Sequence, residues 1–171
     1  FREYRIELID SIFKDVEIEK AAFKTLIRVL KNKGFEGLSP FQRKALEEIA
    51  KGYYKVFGLV APTGTGKTLV FLIPALIESL KAALKGEQKV RIIIVYPRKA
   101  LIRDQLARLI EIVEELNKHI PFKITLGMDY GDIPLKPHNQ PLNLGIPCPR
   151  CKGGNDLTLD VRGNVVCEQD G

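Results

Sequence analysis

Ala61-Pro-Thr-Gly-Thr-Gly-Lys67-Thr68 sets two glycines, a lysine and a threonine at the spacing of a phosphate-binding loop, with Ala61 where the general pattern has its first glycine. Gly64 and Gly66 let the backbone turn so that its N–H groups converge on phosphate oxygens, and a following helix adds the positive end of its dipole. Lys67 is expected to reach the β- and γ-phosphates and Thr68 to offer its hydroxyl to Mg²⁺; these two are the catalytic candidates. Thr63 and Thr65 complete the cradle, so the chemistry implied is binding of a nucleoside triphosphate with Mg²⁺. A glycine-rich turn without a ligand is the bland alternative.

Two further features narrow the nucleotide class. Gln42 stands 25 residues before Lys67, and its amide can pair with both N6 and N7 of adenine, which points to ATP. Tyr96-Pro-Arg-Lys-Ala-Leu101 follows an apolar β-branched run, and Arg98, Lys99 and Arg103 supply positive charge at the start of the next helix, where a nucleic-acid phosphate could be held. Residues 81–108 carry eight basic side chains against two acidic ones, so the chain's net charge of +6 is concentrated there. A polyanion is the natural partner for such a stretch, a solvated basic helix end being the rival reading.

Cys148-Pro-Arg-Cys151 is a C-x₂-C knuckle, and Cys167 follows after 15 intervening residues. Asp170 stands where a fourth cysteine would fall. Zn²⁺ favours four tetrahedral ligands and accepts carboxylate oxygen less often than sulfur. Three readings are open: Asp170 is the fourth ligand, the fourth lies beyond Gly171, or the site is degenerate. Three cysteines are too few for a disulfide scaffold. His138 in a proline-rich stretch reads as solvated, and His119 as a residue facing a helix end.

The elements that must position these groups follow from periodicity. Residues 3–33 read as helix, broken near Asp10 or Asp15 and ended by Gly34 and Gly37. Ser39-Pro40 reads as an N-cap followed by proline at the first helical position, opening a helix to about Lys51. Val56–Ala61, Arg91–Tyr96 and Phe122–Leu126 are short apolar runs expected of buried parallel strands, with helices from Lys67 to about Leu84 and from Lys99 to about Lys118 between them. Five prolines between Pro134 and Pro149 read as a linker. Beyond it, Leu157–Val161 and Val165-Val166 flank Arg162-Gly163-Asn164 as a hairpin.

Together these residues resemble the superfamily 2 (DEAD/DEAH-box type) helicases. Residues 61–68 are similar to their motif I, Leu38-Ser-Pro-Phe-Gln42 to the adenine-reading glutamine segment, and residues 96–105 to motif Ia in the form of the Lhr-like and MrfA-like DNA helicases. Tyr130-Gly-Asp-Ile-Pro134 is similar to a Gly-Asp-Thr-Pro turn of those branches. The resemblance covers roughly residues 38–134 and implies there a RecA-like parallel sheet with helices on both faces; the residues themselves add a helical extension over 1–37, a linker over 135–147 and a zinc-ribbon-like hairpin over 148–171, an α/β chain as a whole. The resemblance implies the N-terminal part of an ATP-dependent DNA helicase, with ATP and Mg²⁺ as cofactors, DNA as partner and RNA left open; the cysteine spacing adds Zn²⁺. The extension or the zinc segment is a candidate surface for a protein partner. No Asp-Glu-Ala-Asp or Asp-Glu-x-His stretch occurs, so these residues alone are expected to hydrolyse ATP little.

Composition bounds the rest. With 45% hydrophobic and 28% charged residues the chain is globular in type, not disordered. No run of about 18 uncharged apolar residues exists, which argues against a membrane span. The beginning, Phe1-Arg-Glu-Tyr-Arg5, has no secretory layout, and an intracellular segment of a longer protein, cytoplasmic, is expected. A non-catalytic nucleic-acid-binding or assembly module with a vestigial nucleotide site is the main rival; a small kinase is a weaker one.

Overall fold

The computed structural model describes residues 4–5, 17–53, 55–129, 139–151, 155–167 and 169. In chain order the elements are β1 (Tyr4–Arg5), α1 (Glu17–Asn32), β2 (Gly37–Leu38), α2 (Pro40–Ala50), α3 (Lys67–Leu84), α4 (Lys99–Asn117), β3 (Leu142–Pro147), β4 (Asp156–Leu159) and β5 (Val165–Cys167). They gather in two compact units, one built from Phe1–Ile93 and Leu116–Ile124, the other from Ile94–Glu115 and Thr125–Gly171.

Helices make the core of the first unit. α1 turns Ala22, Phe23, Leu26, Val29 and Leu30 inward, a helical spacing that lays one apolar stripe along α3. α2 packs on α3 through Ala45 and Leu46. α3 buries Val70, Leu72, Ile73, Leu76, Ile77 and Leu80 despite Pro74 in its interior. A mid-helix proline costs about 3 kcal/mol and each fully buried aliphatic side chain contributes about 1.5–3 kcal/mol, so this burial outweighs the break in the hydrogen-bond ladder. α1, within the expected helical extension, shares one core with the loop-bearing helix α3.

α1 and α3 stop by the same device. Gly34 (φ +82°) lets Phe35 N–H donate to Leu30 O at 3.0 Å and Gly34 N–H to Lys31 O at 3.0 Å. Gly86 (φ +70°) does likewise for α3, with Glu87 N–H on Ala82 O at 2.9 Å and Gly86 N–H on Ala83 O at 3.1 Å. Each glycine occupies the left-handed position of a C-terminal cap, satisfying carbonyls the helix would leave open.

Of the expected fold, the α/β content is present. Among the described residues the sheets are antiparallel: β1 with β2, in register Tyr4 to Leu38, and β3–β4–β5. The three apolar runs read as parallel strands carry no ladder, with Val56, Val60, Ile93 and Val95 all more than 80% exposed and Phe122 and Leu126 less so. The third run is held instead by a side chain: Ile124 N–H donates to Asn117 Oδ1 at 2.8 Å and Asn117 Nδ2 donates to Ile124 O at 2.9 Å.

The second unit sets α4 beside the antiparallel sheet. β3 lies in the stretch read from sequence as linker, and this is a correction. Leu142, Leu144 and Ile146 alternate at a strand's period of two, and Pro141 and Pro147 sit outside or at the end of the strand, where a missing N–H costs no interior bond. The β3–β4 register shifts between Asn143 and Pro147, around Gly145 with φ +59°. The Asn143 carboxamide oxygen accepts from Gly145 N–H at 2.6 Å and closes that irregularity. β4 and β5 form the expected hairpin, Leu157 opposite Cys167 and Leu159 opposite Val165.

Candidate nucleotide and nucleic-acid sites

The phosphate loop is built as its residue types require. Gly64 (φ +80°) and Gly66 (φ +73°) both take left-handed conformations, and Gly66 is the N-cap of α3, so Lys67 and Thr68 begin the helix. Thr65 Oγ1 donates to Pro62 O at 2.9 Å, fixing the turn from within. Lys67 Nζ donates to the carbonyls of Ala61 and Pro62, each at 2.5 Å, holding its ammonium group over the loop. Thr63 and Gly64 are exposed, while Thr65, Lys67 and Thr68 are half-buried. The amides at the head of an 18-residue helix, a poised ammonium and a hydroxyl are the donor set a polyphosphate–Mg²⁺ group needs.

Gln42 joins this loop. Its Nε2 donates to Gly66 O at 3.0 Å, although 24 residues separate the two in the chain. Its Oε1 accepts from Ser39 N–H at 2.8 Å, and Ser39 Oγ accepts from Gln42 N–H at 3.3 Å, completing a capping box at the start of α2. The contact is close: a Cβ on Gly66 would lie 2.2 Å from Gln42 Nε2. The box was legible as Ser39-x-x-Gln42, a spacing the adenine reading passed over. The link to Gly66 had no local signal.

The basic segment belongs to the second unit. Arg98 and Lys99 are exposed at the head of α4. Arg103, expected to join them at a nucleic-acid strand, is half-buried, its guanidinium 3.1 Å from the point where a Gly145 Cβ would stand.

Cys148, Cys151 and Cys167 converge, their sulfur atoms all within 4.8 Å of one another, and none is joined in a disulfide. Cys148 and Cys167 are buried and Cys151 is half-buried. Cys148 N–H donates to Asn155 O at 2.8 Å, fixing the knuckle. The Cys151 thiol is pushed up to about 12 by hydrogen bonding, first to Cys167, 3.2 Å away, and then to Cys148. Asp170, His138 and the Tyr130–Pro134 turn lie outside the described residues. The described helices include none long and apolar enough to cross a membrane.

With this geometry in place, comparison with known proteins identifies the framework. The DEAD/DEAH box helicase pattern matches residues 39–140, more than half of the chain. An ATP-dependent RNA helicase, MSS116, from Phaeosphaeria nodorum is 36% identical over 50% of this chain and 15% of its own. DEAD-box ATP-dependent RNA helicase 9 from Arabidopsis thaliana is 31% identical over 81% of this chain and 21% of its own. The ATP-dependent helicase Lhr-Core from Methanocaldococcus jannaschii is 32% identical over 66% of this chain and 13% of its own. This chain thus spans about a fifth or less of the length of these relatives. No solved structure matches it. Loop, capped glutamine helix and matched segment coincide over the same residues, and the chain belongs to the DEAD/DEAH box helicase family.

Proposed function

We propose that this chain is the ATP-binding, strand-gripping portion of a nucleic-acid helicase with a RecA-like first motor lobe. Lys67 and the amides of residues 63–68 take the phosphates, Thr68 takes Mg²⁺, and Gln42 reads adenine. The observation that carries the reading is the hydrogen bond from Gln42 to Gly66, which ties the adenine-reading side chain to the left-handed glycine of the phosphate loop. Arg98 and Lys99 grip the phosphodiester backbone, with Arg103 held behind them. Such contacts serve either nucleic acid. DNA is the expectation from the Lhr-like form of residues 96–105; the relatives named as RNA helicases favour RNA as the second reading.

The sequence carries no acidic motif II, so the chain binds ATP and turns it over little. Titration of a fluorescent ATP analogue tests the reading. Lys67→Ala is expected to weaken affinity about tenfold or more, the loss of one charge-assisted phosphate contact. Equal affinity of parent and variant would instead mark a vestigial nucleotide site. Titration of labelled single-stranded DNA and RNA, each at two salt concentrations, then decides the strand; Arg98→Ala with Lys99→Ala is expected to weaken the preferred one and flatten its salt dependence.

A further inference from the structure

We propose that Cys148, Cys151 and Cys167 hold a zinc ion whose structural task is to clamp the β3–β4–β5 hairpin onto one face of α4. The donor set fits. Tetrahedral zinc–thiolate bonds of about 2.3 Å place sulfur atoms about 3.8 Å apart, and the three sulfurs here lie within 4.8 Å, with Cys151 and Cys167 at 3.2 Å. That separation is far longer than a disulfide bond, and the knuckle cysteines approach from a loop braced by Asn155. Each thiol gives its proton to solvent as the metal binds, with no change of oxidation state.

What the ion would hold together is visible on α4. Arg103 lies against Gly145; Leu106, Ala107 and Ile110 pack against the cluster of Leu144, Ile146, Leu157, Cys148 and Cys167; and Glu114 receives Arg150 at 2.8 Å and 3.2 Å. Positions 103, 107, 110 and 114 share one helix face, so a single stripe of α4 is given over to the hairpin from end to end. The hairpin's own buried core holds three aliphatic side chains besides the cysteines. So small a core needs both a metal and a helix to lean on. Lys99 opens α4, so the clamp also steadies the turn that meets the strand; this last step rests on the strand-binding reading, and the measurements below stand without it.

The 171-residue chain is stripped with a chelator under reducing conditions, then titrated with cobalt(II) and, separately, with zinc. One cobalt per chain with the spectrum of tetrahedral thiolate ligation supports the site, as does loss of that spectrum in Cys151→Ser. Hydrogen exchange of α4 amides from Ile102 to Glu114 is expected to slow about tenfold or more on zinc return, with α3 unmoved. The clamp is overturned if cobalt gives only an octahedral spectrum, if mass spectrometry finds a Cys151–Cys167 disulfide that excludes metal from the chain as purified, or if zinc binds and α4 exchange stays the same.

Discussion

Gln42 carries two amide hydrogens and two carbonyl lone pairs, and the fold uses one of each. The unused N–H and lone pair match what N7 and N6 of adenine require, so under the proposed reading loop fastening and base reading would use different atoms of one side chain. Gln42→Ala removes the N3 half of the capping box and the bond to Gly66, and is expected to lower unfolding free energy by about 1–2 kcal/mol in a denaturant titration. Gln42→Glu keeps an acceptor for Ser39 but turns a carboxylate oxygen on the Gly66 carbonyl; stability is expected to recover in part and nucleotide affinity to stay low. Gly66→Ala is the harsher test. A methyl group there meets Gln42 at 2.2 Å and the left-handed backbone resists it, so loss of nucleotide binding with about 1–3 kcal/mol of destabilisation is expected. The loop residues were legible because glycine, lysine and threonine act through local backbone geometry. The Gly66 partner was not, because a contact 24 residues long leaves no trace in spacing.

Among the elements, those with strong local chemistry were readable: α2 from Ser39-Pro40, the end of α1 from Gly34, and α4 from its leucine and isoleucine periodicity. β3 was masked by the prolines around it, and the commitment of one α4 face to the hairpin exists only in three dimensions. The β4–β5 turn shows how much one side chain can organise. The Asp160 carboxylate accepts from Arg162 N–H at 2.8 Å, Asn164 N–H at 2.7 Å and the Asn164 carboxamide at 3.0 Å. Those bonds, led by the one from the Asn164 backbone, hold its carboxyl below the ordinary 3.8. A depressed folded-state value stabilises the turn above the ordinary aspartate range, and that support fades as pH falls through the folded value. Amide exchange at Asn164 is therefore expected to accelerate as the pH falls below about 3.8, after correction for intrinsic rates. Asp160→Asn, which keeps acceptors for the two backbone amides, is expected to lose that dependence while the turn persists.

At the scale of the whole molecule, the helical core and the wet apolar runs stand in contrast. α1, α2 and α3 bury most of their described aliphatic side chains, whereas Val60 is 96% exposed, Val56 86% and Val95 85%. Exposed β-prone runs of this kind seek strand partners. The chain is expected to bind a hydrophobic fluorescent dye strongly and to gain mass with concentration in light scattering; Val60→Lys with Ile93→Lys is expected to lower both while nucleotide affinity is kept. Sequence reading recognised these runs as strand-forming because β-branched content is a local property, but pairing depends on which neighbours are at hand. Dilution accordingly becomes a variable in every measurement on this protein: in a crowded tube its bare ribbons will find one another before they find anything else.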